Sequence, residues 1–146
     1  MSTIVVGVDG SDGSSDALRF AIEEARIRGA RLTVVSAWHV PPAVYGAGWA
    51  PASVDLDEYR KLAESALGKT IESSGAAEAG VEVTPILREG HPVDVLLSEA
   101  GKADLLVVGT RGLGELKGLL LGSVSQQVAH QATCPVVIVP PVSVSS

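Results

Sequence analysis

Short apolar runs alternate along this chain with longer amphipathic stretches, and this alternation limits the possible folds more than any other feature. The runs are rich in β-branched residues, which predicts strands buried on both faces. The stretches between them repeat apolar residues at helical spacing. Such alternation predicts an open, three-layer α/β fold with a parallel sheet and helices on both faces. We predict strands at 3–9, 31–38, 81–88, 103–109 and 135–140 and helices at 13–28, 56–74, 92–100 and 123–132.

Length and composition restrict the function further. The 146 residues correspond to one domain, 1–146, and a hydrophobic content of 46% is enough for a buried core. Eleven basic against 17 acidic residues leave a net charge of −6, which argues against nucleic acid as a partner. The single Cys134 and the absence of a signal peptide or a long apolar run predict a cytoplasmic protein without a membrane segment.

The segment from Gly109 to Ser123 carries the clearest ligand signal. It reads Gly, two residues, Gly, nine residues, Gly-Ser, and it starts where the fourth predicted strand ends. Glycines let a backbone approach a ligand, and the helix that follows Gly122 begins with a partial positive charge. Together they predict a phosphate site, with the hydroxyls of Ser123 and Ser125 as further donors. A capping box of Ser123 with Gln126 is the alternative, but it leaves the preceding glycines unexplained.

Two strand ends supply further candidates. Asp9 follows the first strand, at the edge where an open α/β sheet places its ligand crevice. Its carboxylate suits a ribose hydroxyl or a divalent cation that bridges to phosphate, although a turn or a helix cap is nearly as good an explanation. Ala37 and Trp38 end the second strand and either flank a flat base or pack in the core. The long segment 39–55 that follows is either a binding loop or a mobile insertion.

Other kinds of site find little support. His39, His91 and His130 share no spacing typical of a metal site, which argues against zinc or iron. No Gly-X-Ser-X-Gly motif or ordered Ser-His-Asp set is present. Cys134 precedes Pro135 at the entrance to a buried strand, where a structural thiol is the usual finding.

These pieces resemble the universal stress protein family, in its nucleotide-binding branch. The resemblance rests on Val5-Val-Gly-Val-Asp-Gly-Ser11, on Ala103-Asp-Leu-Leu-Val-Val-Gly-Thr-Arg-Gly112, and on Leu119-Leu-Leu-Gly-Ser-Val-Ser125 with Cys134-Pro-Val-Val-Ile-Val139. The matching segments are spread over nearly the whole chain. The Gly-two-Gly-nine-Gly-Ser spacing is the pattern that this family associates with ATP.

The resemblance implies a Rossmann-like sheet of order 3-2-1-4-5, of the adenine nucleotide alpha hydrolase type, with a crevice between strands 1 and 4. It implies that Asp9 contacts the ribose and that Ala37 contacts the adenine, while the carboxylate chemistry keeps Mg²⁺ as a second candidate ligand of Asp9. The phosphates of ATP would meet the Gly-rich loop and the start of the next helix. A homodimer paired through the strand at 135–140 is also implied. The full set of candidate site residues is Gly7, Val8, Asp9, Ala37, Val108, Gly109, Arg111, Gly112, Gly122, Ser123, Val124 and Ser125.

The leading hypothesis is therefore a cytoplasmic, ATP-binding protein with a role in stress or signalling and with little or no turnover. One rival is an Mg²⁺-dependent ATPase or phosphotransferase that uses Asp9 together with Arg111 or Lys117. A second rival is a nucleotide-free dimer that serves as an interaction scaffold.

Overall fold

The computed structural model describes residues 2–39, 56–110 and 121–141. All nine predicted elements are present, and their ends differ from the prediction by at most two residues. Segment 40–55 and the loop residues Arg111 and Gly112 lie outside the described residues. The strands are β1 (Thr3–Gly7), β2 (Arg31–Trp38), β3 (Val83–Glu89), β4 (Leu105–Gly109) and β5 (Val136–Val139), and the helices are α1 (Asp12–Arg28), α2 (Leu56–Glu72), α3 (Pro92–Ala100) and α4 (Ser123–Gln131).

The five strands form one sheet in the order β3-β2-β1-β4-β5. Every neighbouring pair runs parallel. The predicted fold class and strand order are therefore confirmed. Pro85, which lacks a backbone donor, lies in the edge strand β3, where a proline is tolerated.

Alternate residues of the strands face two separate apolar layers. Ile4 and Val6 of β1 pack with α1 and with Leu67 of α2 on one face of the sheet. Val5 packs with Val95 and Leu96 of α3 and with Val128 of α4 on the other face. The inner strands are thus buried on both sides, which explains why they read as continuous apolar runs instead of alternating ones.

Local chemistry explains where the helices end. Gly29 ends α1 in the left-handed region at φ 63°, where a side chain would be strained. Pro92 opens α3, because a proline at the first helical position loses no helical hydrogen bond. Across the described residues, every helix is too short or too polar to cross a membrane.

Candidate functional site

The chain order of the sheet reverses between β1 and β4, and a crevice opens beyond the carboxyl ends of these two strands. After β1 the chain crosses to β2 on one side, and after β4 it crosses to β5 on the other. The two connections therefore diverge and leave a gap between them, which is the usual ligand position in open α/β sheets.

The crevice contains two cavities that share Val8, Asp9, Ala37, Pro92 and Val124. We call them the inner cavity, of about 80 Å³, and the outer cavity, of about 520 Å³. The outer volume alone falls within the range of about 300–1,000 Å³ that is typical of small-molecule sites. The inner cavity is additionally lined by Gly7, Ser14, Val35, Leu96, Val108, Gly109, Gly122 and Ser125, and the outer cavity by Gly10, Ser36, His39, Ala63, Ala66, Leu67, Thr70 and Ser123.

The structure brings together every candidate site residue that it describes. Ten of the twelve candidates line one or both cavities, although they come from four separate parts of the chain. Arg111 and Gly112 lie outside the described residues. The ten are Gly7, Val8, Asp9, Ala37, Val108, Gly109, Gly122, Ser123, Val124 and Ser125.

Two glycines let neighbouring elements close the floor of the crevice. A Cβ atom at Gly109 would lie 2.8 Å from the carbonyl oxygen of Gly13, a backbone atom in the first turn of α1. A Cβ atom at Gly7 would lie 2.8 Å from Cδ2 of Leu96, which belongs to α3. Gly109 thus sets the distance between β4 and α1, because the backbone of that first turn has little freedom to move away.

The start of α1 is held by its own side chains. The hydroxyl of Ser11, the N-cap residue, accepts a hydrogen bond from the Ser14 amide at 3.1 Å. Oδ1 of Asp9 accepts from the Ser11 amide at 2.9 Å, and the Ser14 hydroxyl accepts from the Asp9 amide at 3.2 Å. Asp9 therefore orders the turn between β1 and α1, as the alternative interpretation of this residue expected, while its side chain stands exposed on the wall of both cavities.

The start of α4 differs in its chemistry. Gly122 is the N-cap, and it has no side chain with which to cap the helix. The first hydrogen bond within the helix runs from the Gln126 amide to the Gly122 carbonyl at 3.0 Å. Ser123 is thus the first helical residue and not the cap, so a capping box with Gln126 is not formed. The first turn also lacks an acidic residue.

Hydrogen bonds join the two ends of the Gly-rich loop. The Thr110 carbonyl accepts from the Gly122 amide and from the Ser125 hydroxyl, the latter at 2.7 Å. The same hydroxyl lies 3.1 Å from the Gly122 carbonyl. The Ser125 hydroxyl therefore donates its hydrogen to the residue that follows β4, and this bond holds the start of α4 beside the end of β4.

With this geometry described, comparison with known proteins identifies the family. A sequence model of the universal stress protein family matches residues 1–140. The chain belongs to the universal stress protein family. A universal stress protein of Thermus aquaticus is 37% identical over 139 residues, which span 94% of this chain and 97% of that protein.

Solved structures of universal stress proteins share the fold as well. One was determined in complex with cAMP; it is 34% identical, with a TM-score of 0.67, and the match covers 94% of this chain and 95% of that one. Another, from Archaeoglobus fulgidus, was determined in complex with dAMP. It is 29% identical, with a TM-score of 0.68, and the match covers 94% and 97% of the two chains.

Several residues of the crevice in this universal stress protein were not predicted as site residues. Pro92 begins α3 and Leu96 lies one turn later, and Ala63, Ala66 and Thr70 share one face of α2. The regular spacing on α2 resembles that of any helix packed on a sheet, so it gave no sign of a cavity. The position of Pro92 just after a strand end was the one available signal.

Cys134 shows the features of a structural thiol. It packs, partly buried, against the apolar layer formed with α3 and α4. Burial raises the pKa of the Cys134 thiol. The thiolate fraction at neutral pH is therefore small, which disfavours a nucleophilic role.

Proposed function

We propose that this universal stress protein binds an adenine nucleotide in the crevice between β1 and β4, with ATP and Mg²⁺ as the occupants. The observation that carries the proposal is the start of α4, which has no acidic first-turn residue and no side-chain cap and which lies on the crevice wall. The complexes of two relatives with cAMP and dAMP support an adenine nucleotide as the ligand class.

The apolar side of the crevice suits the base. Ala37 and Pro92 line both cavities, and Val35 and Leu96 line the inner one. These side chains offer flat, nonpolar contact, and a ligand there is shielded from water. We assign the adenine to the end of β2, close to Ala37, and the ribose to the neighbourhood of Asp9.

The opposite side of the crevice suits phosphate. The amide groups at the start of a helix have no carbonyl partner within the helix and carry a partial positive charge. At α4 these groups belong to Ser123, Val124 and Ser125, and all three residues line the crevice. An anion can be held there even though the whole chain carries a net charge of −6.

Asp9 is the only carboxylate among the described residues that line the crevice. A carboxylate beside a polyphosphate would repel it unless a cation lies between them. Oxygen ligands from a carboxylate and from phosphate are what Mg²⁺ prefers. The residues present therefore fit Mg²⁺ held by Asp9 and the phosphates, and the ion would neutralise charge there.

Little or no turnover is expected from this arrangement. Hydrolysis needs a group that orients or deprotonates the attacking water near the terminal phosphate. Asp9 accepts through Oδ1 from the Ser11 amide in the turn that precedes α1, and we assign its carboxylate to the cation or the ribose and not to the attacking water. We therefore favour a protein in which nucleotide occupancy, and not product formation, provides a signal in the cytoplasm.

We further propose a homodimer formed through β5. This strand lies at the edge of the sheet and pairs on one side with β4. Its four residues, Val136–Val139, are all apolar and partly exposed. Pairing with β5 of a second copy would cover this edge. Multi-angle light scattering tests this point and should return about twice the chain mass of 14.9 kDa.

Calorimetric titration with adenosine, AMP, ADP and ATP, each with and without Mg²⁺, tests the nucleotide site. Affinity should rise as phosphates are added, because each phosphate adds contacts to the start of α4. Replacing Gly122 and Ser123 together with valine should abolish the gain from phosphate while the far-UV circular dichroism stays unchanged. Equal affinities for adenosine and ATP would contradict the phosphate assignment, and no binding at millimolar ATP would favour the scaffold hypothesis.

A further inference from the structure

Two histidines that are far apart in the sequence meet at the rim of the outer cavity. The imidazole rings of His39 and His91 have their centroids 5.8 Å apart, with an angle of 35° between the ring planes. Both residues are exposed, and His39 itself lines the outer cavity. Their spacing in the sequence argued against a metal site, but that argument considered ligands from one segment only. Here the ligands come from the ends of two adjacent strands.

The backbone holds the two histidines side by side. Trp38 pairs with Glu89 at the last position of the β2–β3 ladder. The amide of Gly90 then donates to the Trp38 carbonyl at 2.9 Å, one residue before each histidine. Gly90 has a φ of 145°, which L side chains rarely adopt, and so it turns the chain sharply toward α3.

His91 is fixed on its other side as well. Its carbonyl accepts from the Val95 amide at 3.0 Å, which closes the first turn of α3. The backbone is thus held on both sides of His91 and on the β2 side of His39. A pair prepared in this way loses little conformational freedom when it binds a common partner.

The geometry points to a site for a divalent transition metal, bound jointly by His39 and His91. Imidazole nitrogen is a preferred ligand of Zn²⁺, Ni²⁺ and Cu²⁺, whereas Mg²⁺ and Ca²⁺ prefer oxygen. Zn–N bonds of about 2.0–2.1 Å in tetrahedral geometry place two coordinated imidazole centroids roughly 5 Å apart. The observed separation of 5.8 Å is close to that distance.

Two histidines leave the remaining coordination positions open. Among the described residues, no group of three or more His, Cys, Asp or Glu side chains is placed to hold one ion. Water would therefore complete the coordination sphere, and exchangeable ligands could replace it. His39 and Asp9 both line the outer cavity, but the proposal uses imidazole ligands only and does not rest on the assignment of Mg²⁺ to Asp9.

Calorimetric titration with Zn²⁺ alone, on the nucleotide-free full chain in mildly alkaline buffer, tests this site. We expect one Zn²⁺ per chain. Even an indirect partner of a metal ligand contributes about ten- to hundredfold to affinity, so His39→Gln and His91→Gln should each weaken binding by about tenfold or more. The matched control is His130→Gln, since His130 is also exposed but lies in the last turn of α4. Its affinity should equal that of the unaltered chain.

A second measurement identifies the ligands directly. In nitrogen-15 NMR spectra of the imidazoles, Zn²⁺ should shift the signals of His39 and His91 and leave those of His130 unchanged. The inference is overturned if the chain binds no Zn²⁺ at millimolar concentration, if either variant at His39 or His91 retains full affinity, or if His130→Gln weakens binding equally. A stoichiometry of one ion per two chains also overturns it, because the ion would then be held between copies.

Discussion

The helices α1 and α4 both start beside the crevice, and each is the next described helix after one of the two strands that frame it, yet their first turns are built in opposite ways. At α1, the Ser11 hydroxyl caps the helix, Asp9 binds the Ser11 amide, and Asp12 adds a negative charge. At α4, the cap is Gly122 and no acidic residue follows. The start of α1 is thus capped by a side chain and carries an acidic residue, whereas the start of α4 has neither feature. Under the proposed function, the start of α1 has a structural role and the start of α4 binds the ligand.

The largest expected effect is a loss of stability when Gly109 is replaced, because its contact with Gly13 places the start of α1 beside β4. Gly109→Ala would put a Cβ atom 2.8 Å from the Gly13 carbonyl oxygen, and this backbone atom cannot easily move. We expect the free energy of unfolding to fall by about 2 kcal/mol, in the range found for overpacked cores. Chemical denaturation measures this loss.

Gly68→Ala is the matched control for that variant. Gly68 lies within α2, and a Cβ atom there would meet no atom within 4 Å. Alanine should raise the free energy of unfolding by about 0.5–1 kcal/mol, because glycine is the poorer helix former. If Gly109→Ala is as well tolerated as Gly68→Ala, then α1 does not depend on a close approach to β4.

Gly109 also shows what sequence reasoning could and could not predict. Its position in a Gly-rich loop after a strand was visible, and it was interpreted as space for a ligand. The structure shows that the missing Cβ makes room for Gly13 of another element. The elements themselves were predictable, since the period of apolar residues depends on neighbours along the chain. Contacts between distant segments, such as this one or the meeting of His39 with His91, depend on the tertiary packing and leave no local pattern.

The residues of the crevice also divide into those that the sequence could place and those whose contacts only the folded chain shows. Asp9 and Ala37 could be placed at the crevice because parallel strands end at one edge of the sheet, so residues at these strand ends reach the same crevice. The hydroxyl of Ser125 was predicted to face phosphate, but it donates to the Thr110 carbonyl and closes the loop. A serine hydroxyl in the first turn of a helix can donate either to a bound phosphate or to a backbone carbonyl, and only the folded loop shows which of the two it does.

Ser123→Asp should reverse the charge character of the start of α4. Binding of ATP should weaken by about tenfold or more, because two like charges about 4 Å apart repel by about 1 kcal/mol in water and by more near a protein surface. The free energy of unfolding should instead rise by about 0.3–1 kcal/mol, since a carboxylate favours a helix N-terminus. Titration calorimetry should therefore show weaker ATP binding by Ser123→Asp, and chemical denaturation should show a higher free energy of unfolding for the same variant.

Ser15→Asp, in the first turn of α1, is the control for Ser123→Asp. It adds the same charge to a helix start that is already capped and is not among the residues lining the crevice. It should weaken ATP binding less than Ser123→Asp does, because Ser15 does not line the crevice and solvent screens a charge that lies away from the ligand. Similar losses of affinity in both aspartate variants would show that overall charge, and not the start of α4, governs binding.

Replacing each serine at the two helix starts with alanine compares the caps themselves. Ser11→Ala removes the hydroxyl that accepts from the Ser14 amide and should lower the free energy of unfolding by about 1 kcal/mol. Ser123→Ala should cost less than about 0.5 kcal/mol, because the N-cap there is Gly122 and exposed substitutions usually have small effects. Urea denaturation of both variants checks the difference, and equal losses would mean that Ser123 is a cap after all.

The smallest expected effect is that of Asp9→Asn, which separates the role of Asp9 in the turn before α1 from its proposed role as a ligand of Mg²⁺. In Asp9→Asn the amide oxygen can still accept from the Ser11 amide, so the turn before α1 and the free energy of unfolding should be preserved. The charge is lost, and the gain in ATP affinity from Mg²⁺ should fall by about threefold, since interactions of an exposed charge contribute about 0.2–1 kcal/mol. Asp9→Ala removes the acceptor too and should lower both stability and the Mg²⁺-dependent affinity. If Asp9→Asn keeps the full effect of Mg²⁺ on ATP binding, the carboxylate serves the turn alone, and both helix starts then leave the cation to the phosphates.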